Sequence, residues 1–397
     1  MRLLLLFAAL IIAPPTQAAE RREPVTILVS IDGFRADYLE RGLTPTLSAL
    51  AKDGVSGAMT PSFPSKTYPN HAAIATGLHP DRSGIVGNHM EDPAHGGLIF
   101  ALDVSLETFW WDQAEPIWVA AERANIPTAA LFWPGSNVAF EGVRPTAWFR
   151  YQREVPGTQR IDALLDWLRR PARERPRFLV TYLDPVDSAG HSHGTSGPEL
   201  DASLREVDGN IARLREGLTA LGQPANMIIV ADHGMADTSP DRVLWLKDIA
   251  DPADYRTIED GPYAAIYPTQ GHEARLAASL LKPHAHFACY RHDTIPTNFQ
   301  FGRNPRVPPF LCLADVGWML RDKTSSKEMD RGTHGYDNRA PEMRALFIAN
   351  GPRFARGRTI ENMRAVDVYP LLRDLLHLPP KAGIDGSDAP FRGLIRR

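Results

Sequence analysis

Cysteine is nearly absent: the 397 residues include two, Cys289 and Cys312. That scarcity excludes a thiolate-built zinc cluster, and neither residue has the neighbours that make a thiol reactive. An excess of one charge is missing as well. Lys and Arg number 44 against 47 Asp and Glu, giving a formal net charge of -3. Such a balance gives no general pull toward nucleic acid or an anionic membrane, so any anion chosen by this chain must be attracted locally. Beyond the first residues no stretch is apolar for long enough to cross a bilayer, and there is no internal repeat or low-complexity tract. What remains is an ordinary globular composition, long enough to bury a large core in one or two α/β domains.

The opening "MRLLLLFAALIIAPPTQAAE" differs from the rest. Arg2 precedes an apolar run, Leu3 to Ile12, followed by prolines and small residues. The run falls short of the roughly 20 residues a span needs, so it predicts a signal peptide over 1–19, cut near Ala18 or Ala19. The alternative is an uncleaved anchor. Export, with a periplasmic destination, would place the cysteines where they can bridge, closing a loop worth roughly 3 kcal/mol. Two buried thiols are the other reading.

From Val25 onward, short apolar strands alternate with amphipathic helices. "VTILVSIDG", "IPTAALFWPG", "RFLVTYLDPVD", "NMIIVADHGM" and "MRALFIANGP" each run from apolar residues into a turn rich in Gly, Pro or Asp. Pro198 and Gly222 bracket the clearest helix. This alternation predicts an α/β fold, a mainly parallel central sheet with helices on both faces, over a single domain of residues 20–397. Two stretches break the rhythm, near 90–120 and 284–312, and read as small inserted cap segments that shape a pocket.

Polar residues gather at the predicted strand ends, where ligands of such sheets collect. Asp32 follows the first strand. Asp187 and His191 are four apart and share a helix face. Asp232 and His233 end another strand, and His334 sits in the glycine-flanked "GTHGYDN". Singly, each could be a turn, a cap or a solvated residue. Together, three carboxylates and three imidazoles form a donor set suited to zinc. Thr67, in "FPSKTYPNHAAIATG", begins a predicted helix and could be its cap or a nucleophile.

The stretches "SIDGFRADYL", "PSFPSKTYPNHAAIATGLHPDRSGIVGN", "YLDPVDSAGHSHG", "ADHGM" and "RGTHGYDN" run through nearly the whole chain in an order that resembles the nucleotide pyrophosphatase/phosphodiesterase family of the alkaline phosphatase superfamily. "NPRVPPFLCLADVGW" is similar to that family's segment before the last histidine. The resemblance implies an alkaline-phosphatase-like fold and two zinc ions. Asp187, His191 and His334 would hold one; Asp32, Asp232, His233 and the Thr67 hydroxyl would hold the other. It implies that Thr67 attacks phosphorus to form a covalent intermediate, that Asn88 donates to a non-bridging oxygen, and that Tyr68, Tyr151 and Tyr182 stack against a base. The positive charge of two zinc ions is balanced by three aspartates and a threonine alkoxide, a near-neutral site that suits a singly charged diester better than a monoester. The expected reaction is hydrolysis of nucleotide phosphodiester and phosphoanhydride bonds to nucleoside 5'-monophosphates. Lysophospholipid or choline diester hydrolysis, and phosphomonoester or phosphonate hydrolysis on the same scaffold, are the alternatives. Departures are Asp184, where the family usually has glutamate, and a longer loop before Gly197-Pro198. Lys66 could steady phosphate but is expected to point to solvent, and Arg82 to be a solvated loop residue. His193 is left out of the donor set, and His284 with His286 could form an adventitious metal site.

Overall fold

The computed structural model describes residues 22–101, 106–322 and 329–396. The expected signal peptide lies outside the described residues. Among those described, no helix is long and apolar enough to cross a membrane.

The central sheet is built from strands β1 (Val25–Ile31), β2 (Val55–Thr60), β3 (Thr128–Leu131), β4 (Ala147–Phe149), β5 (Phe178–Leu183), β6 (Ala225–Val230) and β7 (Ala345–Asn350). Their spatial order is β2-β7-β6-β1-β5-β3-β4, with short strands Arg358–Thr359 and Met363–Arg364 beside β2. The pairs β1–β5, β1–β6, β3–β5 and β3–β4 are parallel. Only β7 opposes its neighbours in this sheet. Every residue of β1 is buried. Its continuous apolar run therefore serves both faces, as expected of a strand covered on each side.

The helices α1 (Thr67–Thr76), α2 (Gly157–Arg169), α3 (Pro185–His193) and α4 (Pro198–Ala220) matter most here. Helices α2 and α3 both pack on α4, whereas α1 packs against Val368–Leu375 and Ile117–Arg123. The doubly buried sheet lies between these two groups, giving the expected alkaline-phosphatase-like α/β arrangement.

A second, antiparallel sheet orders Tyr255–Glu259, Tyr263–Pro268, Phe310–Ala314 and Phe287–Arg291 around its own apolar core. Cys289 and Cys312 face each other across two of these strands and are bridged. Residues 284–312 thus belong to a sheet that begins near Tyr255. Glu259, Asp260 and Pro262 of this region reach the main cavity, whose lining includes no residue of 284–312. In the earlier break, Met90–Asp92 pairs with Leu98–Phe100, and Trp111 reaches the cavity. One buried arginine joins these segments. Arg306 donates to Asp92 and to the carbonyls of Gly84, Phe109 and Trp110.

Candidate active site

Three adjacent parallel strands, β6, β1 and β5, end at one edge of the sheet. Asp32 follows β1; Asp232 and His233 follow β6; Asp187 and His191 lie on α3, which follows β5. Asp187 comes so close to the β1 turn that a Cβ at Gly33, where φ is +66°, would stand 3.0 Å from it. Glycine at that position satisfies both the left-handed backbone and the close approach. His334 enters from the loop after Gly332–Thr333.

All six expected donors converge. Asp32, Asp232 and His233 offer ligand atoms within 4.8 Å of one another, as do Asp187, His233 and His334. His191 Nε2 lies 3.5 Å from Asp187 Oδ1, which joins it to the second group. The rings of His233 and His334 stack at 3.5 Å. The two groups differ in depth. Side chains of Asp32, Asp232 and His233 are 1%, 0% and 0% exposed, while Asp187 and His191 are 17% and 25% exposed.

Burial and mutual repulsion dominate the charges. Burial, then Asp232 and Asp187, holds the Asp32 carboxyl well above the usual carboxylate range. Burial, then Asp187, pushes Asp232 up to about 8. Burial pushes His233 down, and His334 further down with help from His233, Lys66 and His191. His191 stands above its ordinary value because Asp187 and Asp330 together outweigh its burial.

Asp32 Oδ1, Asp187 Oδ1 and Asp232 Oδ2 are buried and accept no hydrogen bond. Buried carboxylate oxygens facing one another without donors are costly unless a cation lies among them. The residues present therefore fit a divalent metal site of oxygen and nitrogen donors.

Thr67 is the first residue of α1, and Lys66 is the N-cap, without a side-chain capping bond. The cap reading of Thr67 is thus replaced: its Oγ1 faces His233 Nε2 at 3.3 Å. Asn88 Oδ1 accepts from the Tyr68 amide at 3.0 Å, which ties it to the start of α1. Tyr68, Tyr151 and Tyr182 all line the same cavity of about 340 Å³, together with Trp111, Phe132 and Trp133. Tyr182 also has a polar task, since its hydroxyl donates to Asp32 Oδ2.

Lys66 departs from expectation. It is 7% exposed and pairs with the largely buried Glu259, 3.5 Å away. Its stem crosses Gly335, where φ is +122° and a Cβ would meet Lys66 Cε at 2.7 Å. Arg82 does meet solvent, and it bonds Asp385 and the Gly383 carbonyl. His193 is exposed. His284 and His286 have separate partners: His284 stacks on Phe287 and bonds the carbonyls of Ser279 and Leu280, while His286 stacks on Trp318.

Other residues escaped the sequence reading, Asp330 and His71 among them. Asp330 lies 3.1 Å from His191 Nδ1 and orients that ring from outside the donor set. Its position four residues before His334 was the available signal. His71, one turn into α1, lies 2.8 Å from both the Thr67 carbonyl and Ser30 Oγ, and burial pushes it down to about 3. It is a neutral brace that reads in the sequence as one more helix residue.

Residues 26–337 match the family model described as type I phosphodiesterase / nucleotide pyrophosphatase. The chain is 36% identical over 400 residues to ectonucleotide pyrophosphatase/phosphodiesterase family member 1 of Mus musculus, covering 96% of this chain and 44% of that one. It thus spans under half the length of that relative. It is 35% identical over 354 residues to a bis(5'-adenosyl)-triphosphatase of Xenopus laevis, covering 88% and 77%. Its structure resembles murine ectonucleotide pyrophosphatase/phosphodiesterase 5, solved as an inactive Thr-to-Ala form in complex with AMP. The TM-score is 0.90 at 32% identity, with 94% of this chain and 100% of that one covered. With that match over most of its length, and with the donors and threonine gathered at one strand edge, the chain belongs to the type I phosphodiesterase / nucleotide pyrophosphatase family of hydrolases.

Proposed function

We propose that this protein hydrolyses phosphodiester and phosphoanhydride bonds of nucleotides, releasing nucleoside 5'-monophosphates through a covalent intermediate on Thr67. The observation that carries the reading is the Thr67 hydroxyl, at a helix start on the cavity and 3.3 Å from a histidine shared by both donor groups. Two zinc ions, one on Asp187, His191 and His334 and the other on Asp32, Asp232, His233 and Thr67, would supply Lewis-acid stabilisation and a lowered pKa for the hydroxyl.

The chain's own residues do the rest. The Thr67 oxygen forms a bond to phosphorus as the bond to the leaving oxygen breaks; water then releases the nucleotide from the threonine. Asn88, fixed through its Oδ1, has its amide N–H groups to offer a non-bridging oxygen. The amides at the start of α1 add dipole stabilisation. Tyr182 holds Asp32 through its hydroxyl. Tyr68 and Tyr151 offer aromatic faces to a base, an interaction that tolerates different bases.

The AMP carried by the murine neighbour supports a nucleotide, as does the Xenopus relative's name. The adjoining apolar cavity, behind Trp111 and Gly135, holds about 30 Å³, room for about two water-sized groups and not for an acyl chain. That weighs against a lipid diester. The test offers zinc-loaded protein a nitrophenyl nucleotide diester, nitrophenyl phosphate and nitrophenylphosphocholine side by side. The nucleotide diester should be hydrolysed fastest; a preference for the monoester or the choline ester would overturn the assignment.

A further inference from the structure

Arg160 is an unusual residue for its position. It lies in the first turns of α2, yet it is 2% exposed. Nε donates to the Val155 carbonyl at 2.9 Å, and Nη1 to the Tyr182 carbonyl at 2.9 Å and to Asp184 Oδ1 at 2.7 Å. The other oxygen of Asp184 accepts from the Tyr151 hydroxyl at 3.1 Å. The guanidinium also lies over the rings of Phe132 and Tyr151, at 5.1 and 5.7 Å. Tyr151 meets Phe132 edge-on at 5.4 Å and Tyr182 at 6.1 Å.

A buried ion pair is a poor source of stability, because desolvation offsets its attraction; what it supplies is geometry. Asp184 is the N-cap residue of α3, the helix carrying Asp187 and His191, but its side chain makes no capping bond. The carboxylate is directed instead at Arg160 and Tyr151. One side chain thus links the aromatic wall of the cavity to the turn from which two metal donors are launched.

We propose that Asp184, held by Arg160, is a positioning residue that fixes the Tyr151 ring as a preformed face for an aromatic base, and so sets the preference for nucleotides over diesters that lack one. This rests on the functional reading above. Preorganising the ring removes an ordering penalty that binding would otherwise carry. A charge-assisted hydrogen bond chain of this kind contributes in substrate affinity and not in the chemical step.

The test measures kcat and KM of zinc-loaded wild type and variants on nitrophenyl thymidine 5'-monophosphate and on methyl nitrophenyl phosphate, which has no base. Asp184→Asn, by breaking the pair with Arg160, should raise KM for the nucleotide about fivefold, the equivalent of one lost hydrogen bond, and leave kcat within about twofold. KM for the methyl ester should not move. Tyr151→Phe should raise the nucleotide KM similarly and add nothing to Asp184→Asn, whereas Asp184→Glu, which keeps a carboxylate for both partners, should rescue it. If Asp184→Asn folds poorly, shown by lost zinc, Tyr151→Phe alone decides. Equal losses on both esters, or no change in the nucleotide KM, would overturn the clamp while leaving the functional reading intact. A wild type that does not prefer the nucleotide ester would instead overturn the reading, and the clamp with it.

Discussion

The two halves of the donor set are built alike in chemistry and unlike in setting. Asp32, Asp232 and His233 lie sealed at the ends of central strands, while Asp187 and His191 ride a helix at the cavity and keep part of their surface in solvent. The sealed half is next to Thr67. The open half is backed by Asp330, from the loop before His334. One half is thus positioned by the sheet itself, and the other by side chains acting on side chains.

The sharpest way to separate the halves from the hydroxyl between them is Thr67→Ala. Turnover should fall by more than about a thousandfold with metal content nearly intact on the remaining donors, checked by nitrophenol release and elemental analysis. Substantial residual activity would remove the nucleophile from the mechanism. Next comes Asp330→Asn, which should loosen metal on the open half alone. Loss of a carboxylate behind a ligating histidine weakens affinity roughly 10- to 100-fold, so one equivalent should leave under a chelator that spares the wild type. Loss of both equivalents together would mean the halves are not independent.

Without metal, Asp232 titrates near 8 in the folded chain and at its ordinary value when unfolded, so the folded state binds the extra proton between the two. The metal-free protein should therefore lose stability as pH rises from about 4 through 8. Metal removes that penalty, so the gap in thermal midpoint between loaded and chelated protein should widen from pH 5 to pH 8. A constant gap would contradict it. The smallest effect on catalysis is expected from replacing both Cys289 and Cys312 with serine. Stability should drop by about 3 kcal/mol, read from denaturant unfolding, with kcat within about twofold. A large loss of kcat would show that the antiparallel sheet reaches further into the chemistry.

Much of this arrangement was legible beforehand, because its signals are local. Asp32, Asp232 and His233 each follow a short apolar run, and Asp187 and His191 keep helical spacing. The direction of β7 was not legible, since an apolar run ending in Asn-Gly reads the same whichever way it enters the sheet. Nor was the fate of Lys66. Its partner Glu259 lies far along the chain in another sheet, and no local pattern announces an ion pair of that span. Arg160 was missed for the same reason: it acts through Asp184, to which only the fold brings it.

Arg306 carries one more consequence. Because the single guanidinium of Arg306 gathers the carbonyls of Gly84, Phe109 and Trp110 and the carboxylate of Asp92, the segments behind Trp111 in the cavity wall are wired to one hub. Reshaping that wall by swapping its loops would fail piecemeal: a donor sequence must bring its own hub, or inherit this one with every acceptor in register.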